Sequence, residues 1–151
     1  MIVDPSETPH YLAIDPGETT GWASFNAKGN LLGLGQVSQK ELKRFLFDNI
    51  PPELKGVIVE DYRNHAWNRQ KNWSRNQTSK NIGMIEMACE LSKVPIHLQS
   101  NTVKAIGYKW GGIEPPTNHS ISHQYDAYAH GVYYLQLNGI RPIGKALLEN
   151  D

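Results

Sequence analysis

Residues 10–37 read HYLAIDPGETTGWASFNAKGNLLGLGQV, and this stretch decides the fold. His10 to Asp15 is a short apolar run that ends in an acid and is broken by Pro16-Gly17, the pattern of a strand leading into a loop. Gly21 to Asn26 forms a second run and Leu31 to Val37 a third, with Ala27-Lys28-Gly29-Asn30 as a four-residue turn between them. The three runs predict an antiparallel meander.

Beyond it, Ser38 stands as a helix cap with Glu41 three residues on. Leu42, Phe45, Leu46 and Asn49 share one helical face before Pro51-Pro52 stops the helix. Lys55 to Glu60 (KGVIVE) is β-branched and compact, which predicts a buried strand, again ending in acid. Residues 61–77 show no clear period. A helix is expected over 78–93, a short strand from Pro95 (PIHLQS), and a short helix capped by Asn101 that ends near Gly111-Gly112. The last helix is expected over 120–137, with Asn138-Gly139 closing it.

The order β-β-β-α-β-α-β-α-α predicts an α/β fold. Its mixed sheet is a three-stranded antiparallel meander plus two parallel strands added through right-handed crossovers, flanked by helices. A chain of 151 residues with 39% apolar content suits a single core. We assign 1–9 to an N-terminal tail, 10–137 to the one domain and 138–151 to a C-terminal tail.

Fifteen basic residues balance fifteen acidic ones, so any case for a nucleic-acid partner rests on where the charges fall. Cys89 is the only cysteine, which excludes an intramolecular disulfide and a cysteine-rich metal site and fits a reducing compartment. Met1 to Pro9 lacks the basic-then-apolar order of a signal peptide, and no apolar run approaches the roughly 20 residues of a membrane span. A soluble, cytoplasmic protein with no membrane partner is expected.

Four groups carry chemistry by their position. Asp15 and Glu60 each end a strand, and His123 and Asp126 are three apart on a helix, hence on one face. In an α/β sheet, ligands bind at the C-terminal ends of the strands. If the two strands are neighbours, about 4.8 Å apart, the two acids can share a cation, and without one their repulsion is costly. Oxygen ligands without cysteine select magnesium or manganese over zinc.

Tyr11 to Gly21 (YLAIDPGETTG), Val57 to Glu60 (VIVE) and His123-Gln124-Tyr125-Asp126-Ala127 together resemble the three acidic motifs of RuvC-type Holliday junction resolvases, nucleases of the RNase H-like superfamily. The resemblance spans about 10–137 in order and spacing. It implies an RNase H-like fold and a magnesium-dependent endodeoxyribonuclease. Such an enzyme cuts four-way junctions and other branched DNA, such as flaps and forks, by two-metal phosphodiester hydrolysis. It implies Asp15, Glu60, His123 and Asp126 as the catalytic, metal-binding set, around two Mg2+ ions for which Mn2+ substitutes. His123 stands where some members have Asp, so it either ligates metal or positions the leaving group. His130, one turn after Asp126, is expected to matter less. A compact, stand-alone chain of this kind fits a phage-type member in its host's cytoplasm.

Tyr62 to Lys80 contains Arg63, Arg69, Lys71, Arg75 and Lys80 with no acid, interleaved with Trp67 and Trp73. Cations pair with phosphates and exposed aromatics stack on unpaired bases, so these residues form the expected DNA-binding surface, which Lys104 extends. Asp15 to Gly21 also resembles the phosphate hairpin of actin-like and sugar-kinase ATPases, but those clamp nucleotide between two such domains and this chain has one. A catalytically silent DNA-binding module on the same fold would keep the basic segment without needing all the acids.

The helix over 78–93 is apolar on more than one side. Ile82, Ile85 and Cys89 make one stripe, while Met84, Met87, Ala88 and Leu91 extend around the cylinder. One stripe meets the sheet. The other is expected to meet a second copy, giving a homodimer, unless the last helix covers it.

Overall fold

The computed structural model describes residues 5–61 and 72–141, with side chains placed for 6–61 and 77–141. Among the described residues, five strands form one mixed sheet in the order β3-β2-β1-β4-β5. They are β1 (Tyr11–Asp15), β2 (Thr19–Phe25), β3 (Leu31–Ser38), β4 (Gly56–Glu60) and β5 (Ile96–Gln99). β1, β2 and β3 pair antiparallel, and β4 and β5 are added parallel, as the sequence predicts. The helices are α1 (Gln39–Asn49), α2 (Asn72–Ser92), α3 (Lys104–Gly111) and α4 (Ser122–Leu137).

Strand alternation divides the chain between two cores. Leu12 and Ile14 of β1 and Val57 and Val59 of β4 pack with Leu42 and Leu46 of α1 and Ile82, Ile85 and Cys89 of α2. Ala13 and Ile58, one step out of phase, pack with Ala127, Tyr128, Val132 and Leu135 of α4 on the opposite face. Odd positions of β1 and even positions of β4 therefore face α4, which decides where the terminal acids go.

Several boundaries differ from expectation. β2 begins at Thr19 rather than Gly21, because its ladder with β3 runs back to Thr19↔Ser38. α2 begins at Asn72 rather than at residue 78. Its first turns are polar and aromatic, so apolar period alone does not mark them. Ser38 takes the N-cap position of α1 but makes no capping hydrogen bond with its side chain. Before α3 it is Ser100, not Asn101, that caps: its Oγ accepts from Thr102 N at 3.3 Å and starts a short 3-10 turn. A similar turn, His119–Ile121, precedes α4, which begins at Ser122.

The second stripe of α2 is not covered by α4, which lies across the sheet from it. Met84, Met87, Ala88 and Leu91 instead line an apolar groove of about 560 Å³ with Leu46, Phe47 and Pro51 of α1 and its following loop. Phe47, Met87 and Leu91 are 85%, 64% and 79% exposed. Among the described residues, no helix is long and apolar enough to cross a membrane.

Candidate active site

β1 and β4 are parallel neighbours, in register from Tyr11↔Gly56 to Ile14↔Val59. Asp15 and Glu60 close the two strands side by side on the α4 face. Both are buried, whereas Asp61, one step further, is only partly so. Alternation along the chain sends these two neighbouring acids to opposite faces, and Glu60 is the one that reaches the cleft.

α4 reaches this edge because its N-terminus lies directly on β2. A side chain on Gly21 would meet the His123 carbonyl oxygen at 2.0 Å, so only glycine admits the helix there. Seated in this way, His123 brings Nδ1 to 3.0 Å from Asp15 Oδ2. Its side chain is 37% exposed, so the imidazole stands between the buried acid and solvent. One turn on, Asp126 is held by two donors, the Tyr108 hydroxyl at 2.5 Å and Lys104 Nζ at 3.3 Å. Burial, then the Asp126 hydrogen bond, pushes the Tyr108 phenol far above its ordinary value, which keeps it a donor.

The Lys104 ammonium also lies 3.4 Å from Glu60 Oε1, bridging two of the acids. The structure thus turns this predicted DNA-contact residue inward, with a quarter of its side chain accessible. Lys80 is exposed on α2. Arg63, Trp67, Arg69 and Lys71 lie outside the described residues, and Trp73 and Arg75 fall in the first turns of α2, where side chains are not described. Trp110 is partly buried against the α4 core and stacks on Tyr133 at 5.5 Å.

Three carboxylates therefore converge at the C-terminal strand ends. Burial and the adjacent Glu60 raise Asp15 well above the ordinary carboxylate range. Burial pushes Glu60 upward too, but the adjoining Asp15 carboxyl and the contacts with His130 and Lys104 outweigh it and hold the group low. Without a cation, the two buried carboxyls oppose each other's ionisation. Asp15 Oδ1 and both Glu60 oxygens are buried without an aligned hydrogen-bond donor among the described residues. Unsatisfied hard oxygens in such a row fit a divalent cation of the magnesium class. The cage is not preformed: among the described residues no three acid, histidine or cysteine side chains close on one point. Asp126 is drawn aside toward Tyr108 and Lys104.

Some neighbours of the site carry no signal as site residues in the sequence motifs. Asn81 of α2, fully buried, donates to the Gly17 carbonyl at 2.9 Å and pairs with the Gln39 amide at 2.8 and 2.9 Å. It ties α2 and α1 to the loop after Asp15. A polar residue one turn before Ile85, within the buried stripe of α2, was the available signal. Gln99 on β5 pairs in register with Glu60. Its amide donates to the His130 carbonyl at 3.1 Å and lies 3.0 Å from His130 Nδ1. His130 Nε2 stands 3.1 Å from Glu60 Oε1. That is hydrogen-bond distance, with the Nε2 edge of the ring facing the carboxylate rather than aligned on Oε1.

No protein-family model matches the chain, and no curated protein sequence matches it. Two solved structures of RuvC from Thermus thermophilus are similar. One, in complex with a Holliday junction substrate, is 15% identical with a TM-score of 0.65, covering 89% of this chain and 98% of that one. The other is 17% identical with a TM-score of 0.58, covering 89% and 99%. The chain has the RNase H-like fold of RuvC over nearly the whole length of both.

Proposed function

We propose that this protein is a divalent-metal-dependent endonuclease that cleaves branched DNA, four-way junctions foremost. The observation that carries the reading is the convergence of Asp15, Glu60 and Asp126, two of them buried, against one lysine at the ligand-binding edge of a sheet whose fold is RuvC's. A neutral substrate gives no reason to gather so much negative charge. A phosphodiester attacked with the help of Mg2+ does.

Asp15 and Glu60 would hold the cation, with Asp126 completing the set. When bound, it supplies Lewis acidity, acidifying an attacking water and neutralising charge on the leaving 3′ oxygen. His123 braces Asp15 and, being open to solvent, offers a donor to the scissile phosphate. Lys104 balances Glu60 and Asp126 and contributes a fixed positive charge beside the reacting group. Tyr108 fixes the orientation of the Asp126 carboxylate on the α3 side of the site. The segment from Arg63 to Lys80 supplies phosphate contacts and, through Trp67 and Trp73, stacking at the branch.

Two ions, DNA contacts and a dimer belong to the same proposal. Phe47, Met87 and Leu91 stand exposed beside the groove that they line, so a second copy related by a twofold axis would place its own exposed side chains against the same groove. Such a dimer presents two sites to the two symmetric strands of a junction.

The decisive experiment incubates labelled four-way junction, flap and linear duplex with Mg2+ and with chelator. Cutting of the junction in Mg2+ alone is expected. Binding without cutting under Mg2+ and Mn2+ would leave the silent-module reading. Sedimentation tests the assembly: the wild type should run as a dimer at micromolar concentration and a Met87→Glu/Leu91→Glu variant as a monomer. A monomeric wild type removes the dimer.

A further inference from the structure

The α4 face that carries His123 and Asp126 continues one turn on to His130, which is wholly buried and belongs to no part of the mechanism above. Across the sheet edge beneath it stand Asp15 on β1, Glu60 on β4 and Gln99 on β5, with Glu60 and Gln99 in direct register. The hydrogen bonds determine the state of the ring. A backbone carbonyl only accepts, so the end of the Gln99 side chain that meets the His130 carbonyl is its NH2 group. The same NH2 faces His130 Nδ1. Nδ1 is therefore an acceptor, and the imidazole hydrogen sits on Nε2. Nε2 looks at Glu60 Oε1, and among the described residues it has no other partner.

We propose that His130 is a positioning residue for the cation site: Gln99 sets its tautomer, and its Nε2–H holds the Glu60 carboxylate facing Asp15. A ring with its hydrogen on Nε2 has no lone pair to offer there, so His130 steadies a ligand and does not ligate. The structural reading, a histidine that only fills space beneath α4, predicts neither the donor from Gln99 nor a polar atom aimed at a buried acid. The proposal rests on the metal-site reading above. It reverses the lesser weight expected of His130 from its sequence position.

The wild-type chain with 15N-labelled histidine tests the tautomer directly. Long-range 1H–15N correlation should show His130 with hydrogen on Nε2 and a bare Nδ1, and hydrogen on Nδ1 would overturn the proposal. Mn2+ alone, titrated without DNA, tests the consequence. His130→Phe keeps the bulk and removes the donor, and should weaken Mn2+ binding about 10- to 100-fold. His130→Gln, whose NH2 reaches the same oxygen, should recover most of that loss, and Gln99→Leu should fall between. Unchanged Mn2+ affinity in His130→Phe, or in Gln99→Leu should the Phe variant not fold, overturns the role of His130 alone. A wild type that binds no Mn2+ overturns the metal-site reading and this inference with it.

Discussion

The two faces of the sheet are built on opposite plans. On the α1/α2 face, branched side chains meet branched side chains: Leu12, Ile14, Val57 and Val59 against Leu42, Leu46, Ile82 and Ile85. On the α4 face alanines and glycines at the contact, Ala13, Ala23, Ala127 and Gly131, let the backbone itself come close between larger neighbours such as Phe25 and Tyr128. A side chain on Gly131 would meet the Phe25 ring at 2.3 Å, and one on Gly107 the Ala129 carbonyl at 2.0 Å. Gly83, on the exposed side of α2, has nothing within 4 Å of where a side chain would be. Close packing of backbone leaves little slack. A helix seated so closely can hold short polar side chains at hydrogen-bonding distance from Asp15 and Glu60, which long aliphatic spacers cannot do. The α1/α2 side is apolar out to its surface at Phe47, Met87 and Leu91 and suits adaptable contact with another copy.

The largest effect is expected at the acids. Asp15→Asn or Glu60→Gln should lower cleavage by about three orders of magnitude or more while junction affinity survives, since a lost ligand charge removes several kcal/mol of transition-state stabilisation but no phosphate contact. Near-normal turnover under Mg2+ would place the chemistry elsewhere.

Next comes the seating of α4. Gly21→Ala should cost about 1–3 kcal/mol of stability through overpacking against His123, and lower the melting temperature by several degrees. Cleavage should fall with it, because His123 is pushed from Asp15. A wild-type melting curve for this variant would mean that the close approach is not what holds the helix.

A smaller and more selective change is expected from replacing Arg69, Lys71 and Arg75 together. Each phosphate contact contributes about 0.9 to the slope of log affinity against log salt, so the slope should flatten by about 2–3 with no change in melting temperature. An unchanged slope would move DNA binding away from this segment.

The smallest effect sharpens the contrast between faces. Gly83→Ala should raise stability by about 0.5–1 kcal/mol, because the site is open and glycine in a helix forfeits that much. A loss instead would show that the outer side of α2 at residue 83 is covered by another surface.

Much of this architecture was legible because it rests on short-range periodicity. The acid-terminated runs ending at Asp15 and Glu60, the turn at 27–30 and the 3.6-residue spacing of the last helix each express a local preference that survives in the folded chain. His123 and Asp126 could be read as one pair for the same reason, being three apart on a helix. The residues around them could not. Gln99, Tyr108 and Asn81 are ordinary polar residues in their own segments, and they acquire a role only when β5 is laid beside β4, α3 against α4 and α2 against the loop after Asp15. Lys104 reads from the sequence as one more surface cation, and it took the crossing of α3 and α4 to turn it toward Glu60 and Asp126. The sequence by itself therefore determined which strand ends carry acid and which helix face answers them, since alternation and helical pitch are properties of consecutive residues. Tertiary structure alone decided which neighbours hold those groups, because hydrogen bonds between residues 31 or 64 positions apart, as from Gln99 to His130 and from Asn81 to Gly17, depend on the register and closeness of packed elements.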